Sequence, residues 1–287
     1  MKIFIVTINY NGSEKTTKLL ESLNNQNDKD FEIIIVDNAS EIDDFEALGE
    51  WIKSNSPNAF LLRNEQNLGF SGGCNRGISK ALEMGADWHI LLNNDTSVEK
   101  DFISVLRADL GLKNGIVGLP IDEMTGNVVY GGRLRWLKPT LRHSQDLNDV
   151  QYAIGGAMCI HKTVIEKIGM LDQNYFLYFE DVDYSVRARK SNITISFLAA
   201  PIVRHIGSAS TKLLGVEKLL YYHYRNSLYF NSKNGPAWVK FLVWPWSCVI
   251  IIKQIVKIIL GINRNQSKAI LSGVVDFYNG NLKKISD

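Results

Sequence analysis

The sequence predicts an α/β protein built on a doubly wound, mixed and mostly parallel sheet. Four short apolar runs in the first hundred residues have the length of buried strands, and segments with helical periodicity separate them. Strands that alternate with helices in this way are typical of a parallel sheet with helices on both faces. Several of these runs also end in polar residues, which points to one edge of the sheet as the place where a ligand binds.

The elements follow in order along the chain. The predicted strands are residues 3–6, 31–36, 60–62 and 89–92. Helices are expected around residues 19–23, in a segment that ends at 51–53, and over 69–82. Asn11-Gly12 ends the first strand, and Pro57 separates the second helix from the third strand. A further strand, 157–160, is entered through Gly155 and Gly156.

Polar residues follow three of the strands. Thr7 and Asn9 end the first, Asp37 ends the second, and Asn94 and Asp95 come after the fourth. Any one of these clusters is typical of a turn. The carboxyl ends of parallel strands share a crevice, however, and ligands bind there in open α/β sheets. The recurrence of polar clusters at successive strand ends therefore predicts a nucleotide site. Side-chain oxygens around Asp95 could hold a cation there.

Glycines mark the start of the third helix. Gly72 and Gly73 come long after the first strand, so they are not the dinucleotide-binding fingerprint, which follows that strand directly. At a helix amino terminus they would let backbone amides approach a phosphate. Close packing of the helix on the sheet explains them equally well, and the sequence leaves both interpretations open.

Three carboxylates lie within four positions of the second half. Glu180, Asp181 and Asp183 directly follow an aromatic run, residues 175–179, and three basic residues come after them. Acids at the start and bases at the end of a helix suit its dipole, which is the ordinary explanation. An acid at a helix amino terminus beside an aromatic wall is also well placed to accept a proton from a hydroxyl.

Two other features complete the second half. Residues 130–149 have little periodicity, and such a long irregular stretch in a compact domain is typical of a functional loop or lid. His205 ends a short apolar run after Pro201. A lone histidine there is usually structural, but as a neutral imidazole it could complete a metal site with a carboxylate.

The charge is distributed unevenly. Residues 1–211 hold 21 Lys and Arg against 27 Asp and Glu, whereas residues 212–287 hold 11 against 3. A basic tail on an acidic body predicts an anionic partner, either a membrane surface or a nucleic acid. Cys74, Cys159 and Cys248 show no metal-type pairing and indicate a reducing compartment, and the short apolar start reads as a strand rather than as a signal peptide.

The tail has the pattern of an amphipathic helix. Its longest uncharged run, residues 241–252, has 12 residues, which is short of the roughly 20 needed to span a bilayer. From Val249 onward one helical face carries polar residues and glycine, namely Lys253, Gln254, Lys257, Gly261 and Arg264. Tryptophan and lysine on such a helix favour a membrane surface. Packing on the catalytic domain or in a homodimer is the alternative.

The ordered blocks of the chain resemble family 2 glycosyltransferases of the glycosyltransferase A fold, particularly the rhamnosyltransferase and galactofuranosyltransferase-like branch. The matching text is IFIVTINYNG, IIIVDNAS, NEQNLGFSGGCNRGI, LLNNDTSV, GGAMCIHKTVIEKIGMLDQNYFLYFEDVDYSVRARK and VRHIGSAS. These blocks occur in the family's order between residues 3 and 210. The resemblance covers most of the chain before the tail.

The resemblance implies a role for each matching residue. Those expected to bind the nucleotide-sugar donor are Thr7, Asn9, Asp37, Gly72, Asn75 and Asn94. Asp95 and His205 are expected to hold a divalent cation, Mg²⁺ or Mn²⁺, and Asn93 replaces the first acid of the family's D-x-D motif. Asp181 matches the catalytic base, and Glu180, Asp183 and Gly156 are expected around the acceptor.

Together these expectations describe an inverting, metal-assisted glycosyltransferase. Residues 1–211 would be a Rossmann-like catalytic domain, with a donor half to about 97 and an acceptor half from about 98, and residues 212–287 a helical membrane-surface tail. The donor would be dTDP-rhamnose or another nucleotide sugar. The acceptor would be a cell-surface glycan, lipid-linked, at the cytoplasmic face of the membrane. The alternatives are a sugar-phosphate nucleotidyltransferase and a nucleic-acid-binding protein, and the bases interleaved with long aliphatic runs suit lipid better than nucleic acid.

Overall fold

The computed structural model describes residues 1–56, 58–123, 126–205 and 215–282. The strands are β1 (Ile3–Asn9), β2 (Glu32–Asp37), β3 (Ala59–Arg63), β4 (Trp88–Leu92), β5 (Thr96–Val98), β6 (Ile116–Gly118), β7 (Ile121–Asp122), β8 (Val128–Val129), β9 (Gly131–Arg133), β10 (Arg142–Ser144), β11 (Ala157–His161), β12 (Ile195–Phe197) and β13 (Val203–His205). The helices are α1 (Ser13–Asn24), α2 (Ile42–Asn55), α3 (Gly69–Glu83), α4 (Phe102–Leu110), α5 (Lys162–Ile168), α6 (Glu180–Lys190), α7 (Gly215–Asn234), α8 (Ala237–Ile259) and α9 (Arg264–Asn279).

The main sheet has seven strands in the order β12-β6-β11-β4-β1-β2-β3. Strands β3, β2, β1 and β4 run parallel, whereas β11 runs antiparallel between β4 and β6. The predicted class, a mixed and mostly parallel α/β sheet, is confirmed. Asn9 and Asp37 are register partners at the carboxyl ends of β1 and β2, so their side chains start from the same level of the sheet.

Both faces of the sheet are covered, because successive side chains of a strand point to opposite sides. Ile5 and Ile90 belong to the core formed with α1, α2 and α4. Their neighbours Val6 and Leu91 belong to the core formed with α3, α5 and α6. The central strands β1 and β4 are therefore buried on both sides, which explains why they read as continuous apolar runs.

Smaller elements extend the carboxyl edge of the main sheet. A four-stranded sheet has the order β5-β13-β7-β8, and in it His205 pairs with Thr96. This pairing brings the end of β13 beside the segment that follows β4. The stretch 130–149, predicted to be irregular, contains the β9–β10 hairpin and one turn of 3₁₀ helix at Leu147–Asp149.

The chain after residue 214 forms three helices, and the predicted domain boundary at residue 211 lies outside the described residues. In the part of the chain that the structure describes, α8 alone is long and apolar enough to cross a membrane, judged by length and composition. It has 23 residues, and 22% of its most apolar window, of mean hydropathy 1.7, is buried. One buried stripe faces the protein, namely Val239, Val243, Ser247, Ile250 and Gln254.

The structure corrects the predicted amphipathic helix of the tail. Helix α8 begins at Ala237 and ends at Ile259, so Gly261 and Arg264 do not continue its polar face. Gly261 has φ +72°, a left-handed conformation that stops a helix and that glycine adopts without strain. Gln254 lies in the buried stripe, four residues after Ile250, and not beside Lys253 on an exposed polar face.

Candidate active site

One hydrogen-bond network joins the carboxyl ends of three parallel strands. The amide nitrogen of Asn9 lies 3.0 Å from Asp37 Oδ1 and 2.8 Å from Asp44 Oδ2, and Asn9 Oδ1 accepts from the Thr16 hydroxyl at 2.8 Å. Asn94, after β4, donates to the same Thr16 hydroxyl at 3.0 Å. The structure thus brings together the three predicted polar strand ends, and Asn9 holds them as a buried crosslink.

Thr7, predicted to contact the nucleotide, lies on β1 and is 1% exposed. Its hydroxyl oxygen is buried and has no hydrogen-bond partner among the described residues. A buried hydroxyl without a partner is costly in a folded protein, so it is a candidate for a ligand contact. Asp37, in contrast to Thr7, has partners within the protein for both oxygens. Its Oδ2 accepts from the Ser40 backbone N–H at 3.1 Å and lies 3.8 Å from Arg63 Nε.

Asn75 and Gly72, predicted to bind the donor, are used inside the protein. Asn75 donates to the Leu171 carbonyl at 2.8 Å and accepts from the Leu171 N–H at 3.1 Å, so both polar atoms of its amide fasten α3 to the loop after α5. A Cβ on Gly72 would lie 2.5 Å from Leu68 Cβ, and one on Gly73 would lie 2.9 Å from the Ile8 side chain. Close packing therefore explains this glycine pair.

Asp95 and His205 meet, as predicted. Asp95 Oδ1 lies 3.3 Å from His205 Nε2, and the hydrogen bond to Asp95 raises the pKa of the His205 imidazole. No cluster of three or more potential metal ligands forms among the described residues. One carboxylate and one imidazole nevertheless fit a cation such as Mg²⁺ or Mn²⁺, which usually keeps several waters and binds substrate phosphates as well.

A cavity of about 490 Å³ opens beside the end of β4. Its wall includes Asn93 and Gly156 on the sheet side and Glu180 and Asp181 at the start of α6. The other lining residues are Phe70, Thr140, Leu141, His143, Ile154, Gly155, Leu177, Tyr178 and His223. A Cβ on Gly156 would lie 2.5 Å from the Asn93 amide nitrogen, so a larger residue here would displace the Asn93 side chain.

The two acids in this cavity differ in their partners. Asp181 Oδ2 accepts from the Gly155 N–H at 3.0 Å, and Oδ1 accepts from the Val182 N–H at 2.7 Å. Glu180 Oε2 is buried with no hydrogen-bond partner among the described residues. Burial, and then the charge of Asp181, raise the pKa of Glu180 well above its usual value. Burial also raises the pKa of Asp181, but its backbone donors oppose that effect.

These contacts decide which acid carries the charge. Both acids lie at the amino terminus of α6, but Asp181 also accepts two backbone N–H bonds, which stabilise its carboxylate. Glu180 has a buried oxygen without a donor, so its neutral form is the stable one beside a charged neighbour. The contacts therefore favour the proton on Glu180 and the charge on Asp181, which faces the cavity.

Asp183, predicted near the acceptor, does not line the cavity. Its Oδ2 pairs with Arg187 Nε at 2.8 Å, and its Oδ1 lies 2.8 Å from Lys233 Nζ and 2.6 Å from the Asn234 amide. Residues two apart on a helix point about 200° apart, which sends Asp183 away from Asp181. It joins α6 to the end of α7 as a structural ion pair.

Comparison with known proteins identifies the family. The sequence profile described as Glycosyl transferase family 2 matches residues 4–169. The chain belongs to glycosyl transferase family 2. The prediction made from the ordered blocks is therefore confirmed, and the match ends before Asp181, His205 and the helices of the tail.

Three curated relatives show where this family 2 chain stands. It is 28% identical over 202 residues to the low-salt glycan biosynthesis hexosyltransferase Agl10 of Haloferax volcanii, a match that spans 67% of this chain and 62% of Agl10. It is 24% identical to the dTDP-rhamnosyl transferase RfbF of Shigella flexneri, over 81% of this chain and 80% of RfbF. It is 22% identical to the N-acetylglucosaminyl-diphospho-decaprenol L-rhamnosyltransferase of Mycobacterium tuberculosis, over 84% and 87%.

Solved structures share the fold of the chain. TarS residues 1–349 of S. aureus, in complex with UDP-GlcNAc, superposes with a TM-score of 0.61 at 16% identity, over 96% of this chain and 80% of that one. GalNAc-T7 with UDP, GalNAc and Mn²⁺ superposes with a TM-score of 0.63 at 16% identity, over 81% and 50%. At these identities the likeness establishes the fold.

Several residues of the site escaped the sequence analysis of this family 2 protein. Thr140 and His143 lie in the segment predicted to be a functional loop. The sequence therefore indicated the segment, but nothing in its pattern singled out these two residues. His223 lines the cavity from α7, which the sequence assigned to the tail. Its ring stacks on Tyr178 with centroids 4.2 Å apart. No local pattern marks His223 as part of this cavity, because its place in the lining depends on the packing of α7.

Proposed function

We propose that the protein is an inverting glycosyltransferase that moves a sugar from a nucleoside diphosphate donor to a hydroxyl of a growing cell-surface glycan. The single observation that carries the proposal is the buried Asp181 carboxylate, held by two backbone N–H groups and facing a cavity at the carboxyl edge of the sheet. Two relatives are named as rhamnosyltransferases, one of them for dTDP-linked rhamnose, which makes dTDP-rhamnose the first donor to test.

Asp181 would act as the general base. A hydroxyl that attacks the anomeric carbon must lose its proton, and an ionised carboxylate within reach can accept it. The diphosphate leaves from the opposite face of the sugar, so a direct displacement inverts the anomeric configuration. Glu180, kept neutral by burial, adds no second charge to the cavity and leaves Asp181 as the acceptor of the proton.

Asp95 and His205 would hold a divalent cation on the diphosphate. When bound, the metal supplies positive charge that stabilises the leaving diphosphate. Asn93 offers an amide where an acid would add a second carboxylate, so this chain contributes one carboxylate and one imidazole to the metal. The substrate phosphates and waters would complete the coordination.

The acceptor would enter the cavity that Asp181 faces. Its lining is largely apolar and aromatic, with Phe70, Leu141 and Tyr178 beside the two acids, a composition that suits the faces of sugar rings. The mycobacterial relative is named for an acceptor on a diphospho-decaprenol carrier. We therefore propose a lipid-linked glycan acceptor for this chain.

The tail would hold the enzyme at the cytoplasmic face of the membrane. Helix α8 buries one stripe and exposes apolar side chains opposite it, including Phe241 at 80%, Ile259 at 76% and Trp244 at 67%. Exposed apolar patches of this kind mark sites of association. With the basic excess of residues 212–287, the face fits an anionic lipid surface, and Lys253 within α8 favours a helix lying on the membrane over one crossing it.

We propose the division of the chain in the same terms. Residues 1–97 would form the donor half and residues 98–211 the acceptor half of one catalytic domain, and residues 212–287 the membrane element. Helix α7 adds to this scheme, because His223 also lines the acceptor cavity.

A ligand screen followed by product analysis tests the proposed function. The full chain is heated with dTDP-, UDP- and GDP-sugars, with Mg²⁺ or Mn²⁺, because a ligand that binds the native state alone raises the melting temperature. The donor selected is then incubated with a lipid-linked acceptor, and NMR gives the anomeric configuration of the product. Inversion is expected, whereas a retained configuration, or no response to any nucleotide sugar, would overturn the proposal.

A further inference from the structure

We propose that Asn226, in helix α7, is a positioning residue for the base Asp181. It would act through the backbone turn that precedes α6, without contacting the substrate. The inference rests on the proposed function of Asp181, and it gives a residue of α7 a role in catalysis that the sequence pattern did not reveal.

The turn before the acids has an unusual backbone. Tyr178 and Phe179 have φ of +69° and +75°, so two consecutive residues with large side chains adopt the left-handed conformation. Such residues adopt it rarely and at a cost, and they persist there only where surrounding contacts hold them. Glu180 follows directly as the first residue of α6.

Asn226 supplies those contacts. Its side-chain nitrogen donates to the Leu177 carbonyl at 2.7 Å and to the Tyr178 carbonyl at 3.0 Å, and the residue is fully buried. Its oxygen accepts from Arg225 Nε at 2.9 Å, which fixes the orientation of the amide. One side chain on α7 therefore holds two successive carbonyls of the strained turn.

The turn is connected to the base by the first hydrogen bond of α6. The Asp183 N–H donates to the Phe179 carbonyl at 2.9 Å, so the conformation of Phe179 sets how α6 begins. Asp181 reaches the Gly155 N–H from this first turn. If Asn226 no longer held the carbonyls, the turn would relax toward an unstrained backbone, and the Asp181 carboxylate would move relative to Gly155.

Helix α7 holds α6 at a second place. Lys233 Nζ and the Asn234 amide lie 2.8 and 2.6 Å from Asp183 Oδ1, on the side of α6 turned away from the cavity. Because these contacts remain when Asn226 is changed, α6 stays attached to α7. We therefore expect a local shift of the first turn and not the release of the helix.

Two substitutions and a matched control test the inference. Asn226→Asp keeps the size of the side chain but replaces the donating nitrogen with an oxygen, and Asn226→Ala removes the whole amide. Gln26→Ala is the control, because Gln26 is also buried and its amide nitrogen also bonds two backbone carbonyls, those of Ser22 at 3.0 Å and Glu99 at 2.7 Å. It lies at the end of α1, outside the cavity.

The measurements separate positioning from simple loss of stability. Donor binding is measured by calorimetry with dTDP-rhamnose or UDP-GlcNAc and Mn²⁺, and turnover by release of the nucleoside diphosphate. Both Asn226 variants should lower kcat at least about tenfold and leave the donor Kd within about twofold. Their acidic limb of kcat should move to higher pH, because loss of the Gly155 N–H removes a contact that stabilises the charged form of Asp181.

Hydrogen exchange gives a readout that needs no substrate. Amides in a peptide covering residues 177–183 should exchange faster than in wild type in both Asn226 variants, and at the wild-type rate in Gln26→Ala. If Asp181→Asn abolishes turnover but the Asn226 variants match the control in kcat, pH limb and exchange, Asn226 has only a structural role and the inference is wrong. If Asp181→Asn keeps turnover, the proposed base is wrong, a different result from the first.

Discussion

The carboxylate of Asp181 accepts a hydrogen bond from the backbone N–H of Gly155 at 3.0 Å, which joins the start of α6 to the residues that lead into β11. The approach is close, since a Cβ on Gly155 would lie 3.3 Å from Asp181 Cβ and 3.1 Å from the Phe70 ring. Glycine thus allows the sheet edge to donate directly to the carboxylate. The same contact predicts how the two neighbouring acids respond to substitution.

Replacing Asp181 with asparagine should abolish catalysis and leave the donor bound. We expect Asp181→Asn to lower kcat by about 10²–10⁴-fold, the usual contribution of a general base. Glu180→Gln is the matched variant, because it copies the neutral form that Glu180 already has, and it should keep most of the activity. Steady-state kinetics and donor calorimetry on both variants check this. The reverse order of activities would make Glu180 the base.

The pH dependence of turnover should reflect the burial of Asp181. Burial raises the pKa of Asp181 above its ordinary value of 3.8, and the base acts only when deprotonated. Activity should therefore increase with pH through that raised pKa, and the acidic limb of kcat/KM should lie above the usual range for an aspartate. A limb at or below pH 3.8 would show that the carboxylate is not desolvated as the structure has it.

Glu180 should make the protein less stable as the pH rises. Burial raises its pKa well above 4.5. At a pH between 4.5 and that raised pKa, the folded state binds a proton that the unfolded state has lost. The free energy of unfolding then falls with increasing pH in this window. Glu180→Gln should remove that fall and raise the melting temperature at pH 8, by about 2–4 °C for each kcal/mol gained. Melting curves at pH 5 and 8 measure it, and an unchanged difference from wild type at the two pH values contradicts it.

Local pattern was enough to predict the sheet and its polar edge. The runs that became β1 and β4 are buried on both faces, so their hydrophobicity is continuous, and the polar residues Asn9, Asp37 and Asn94 follow where the strands end. These signals lie within a few neighbouring residues. Asp95 and His205 are 110 positions apart, and only the resemblance to a family brought them together before the structure did.

Sequence could not supply the partners of polar side chains that lie elsewhere in the chain. Asn75, assigned to the donor by the resemblance, pairs with the Leu171 backbone, and Asp183, expected around the acceptor or behind the residues that contact it, pairs with Lys233. The helical period alone places Asp183 on a different side of α6 from Asp181. The role of Asn226 was not predictable, since it depends on the left-handed turn and on the packing of α7.

Removing either proposed metal ligand should weaken metal-dependent donor binding. Asp95→Ala and His205→Ala take away the two groups that lie 3.3 Å apart, so each should reduce donor affinity in Mn²⁺ at least about tenfold. Affinity for the donor in EDTA should be equal in wild type and variants. Calorimetry with and without Mn²⁺ checks this, and the same gain from Mn²⁺ in all three proteins would place the metal elsewhere.

The exposed face of α8 should bind the enzyme to anionic membranes. Phe241→Ser with Trp244→Ser removes two rings that are 80% and 67% exposed, and each ring buried in the lipid interface contributes about 2 kcal/mol. The double variant should therefore bind phosphatidylglycerol vesicles about 10²–10³-fold more weakly. Leu112→Ser is the control, since Leu112 is 97% exposed after α4 and should not contribute to vesicle binding.

Salt and alkali separate the possible attachments of the tail. Binding of the full chain should weaken in high salt but persist, because screening removes the attraction of Lys253 and Lys257 and leaves the apolar burial. Carbonate at high pH should release the protein from membranes, whereas it would not release a helix that spans the bilayer. Turnover on a water-soluble acceptor should be unchanged in the double variant, whereas turnover on a lipid-linked acceptor in vesicles should fall with binding. If the wild-type protein does not bind vesicles and sediments as a dimer, and the double variant sediments as a monomer, the face joins two copies of the chain and the membrane proposal is wrong.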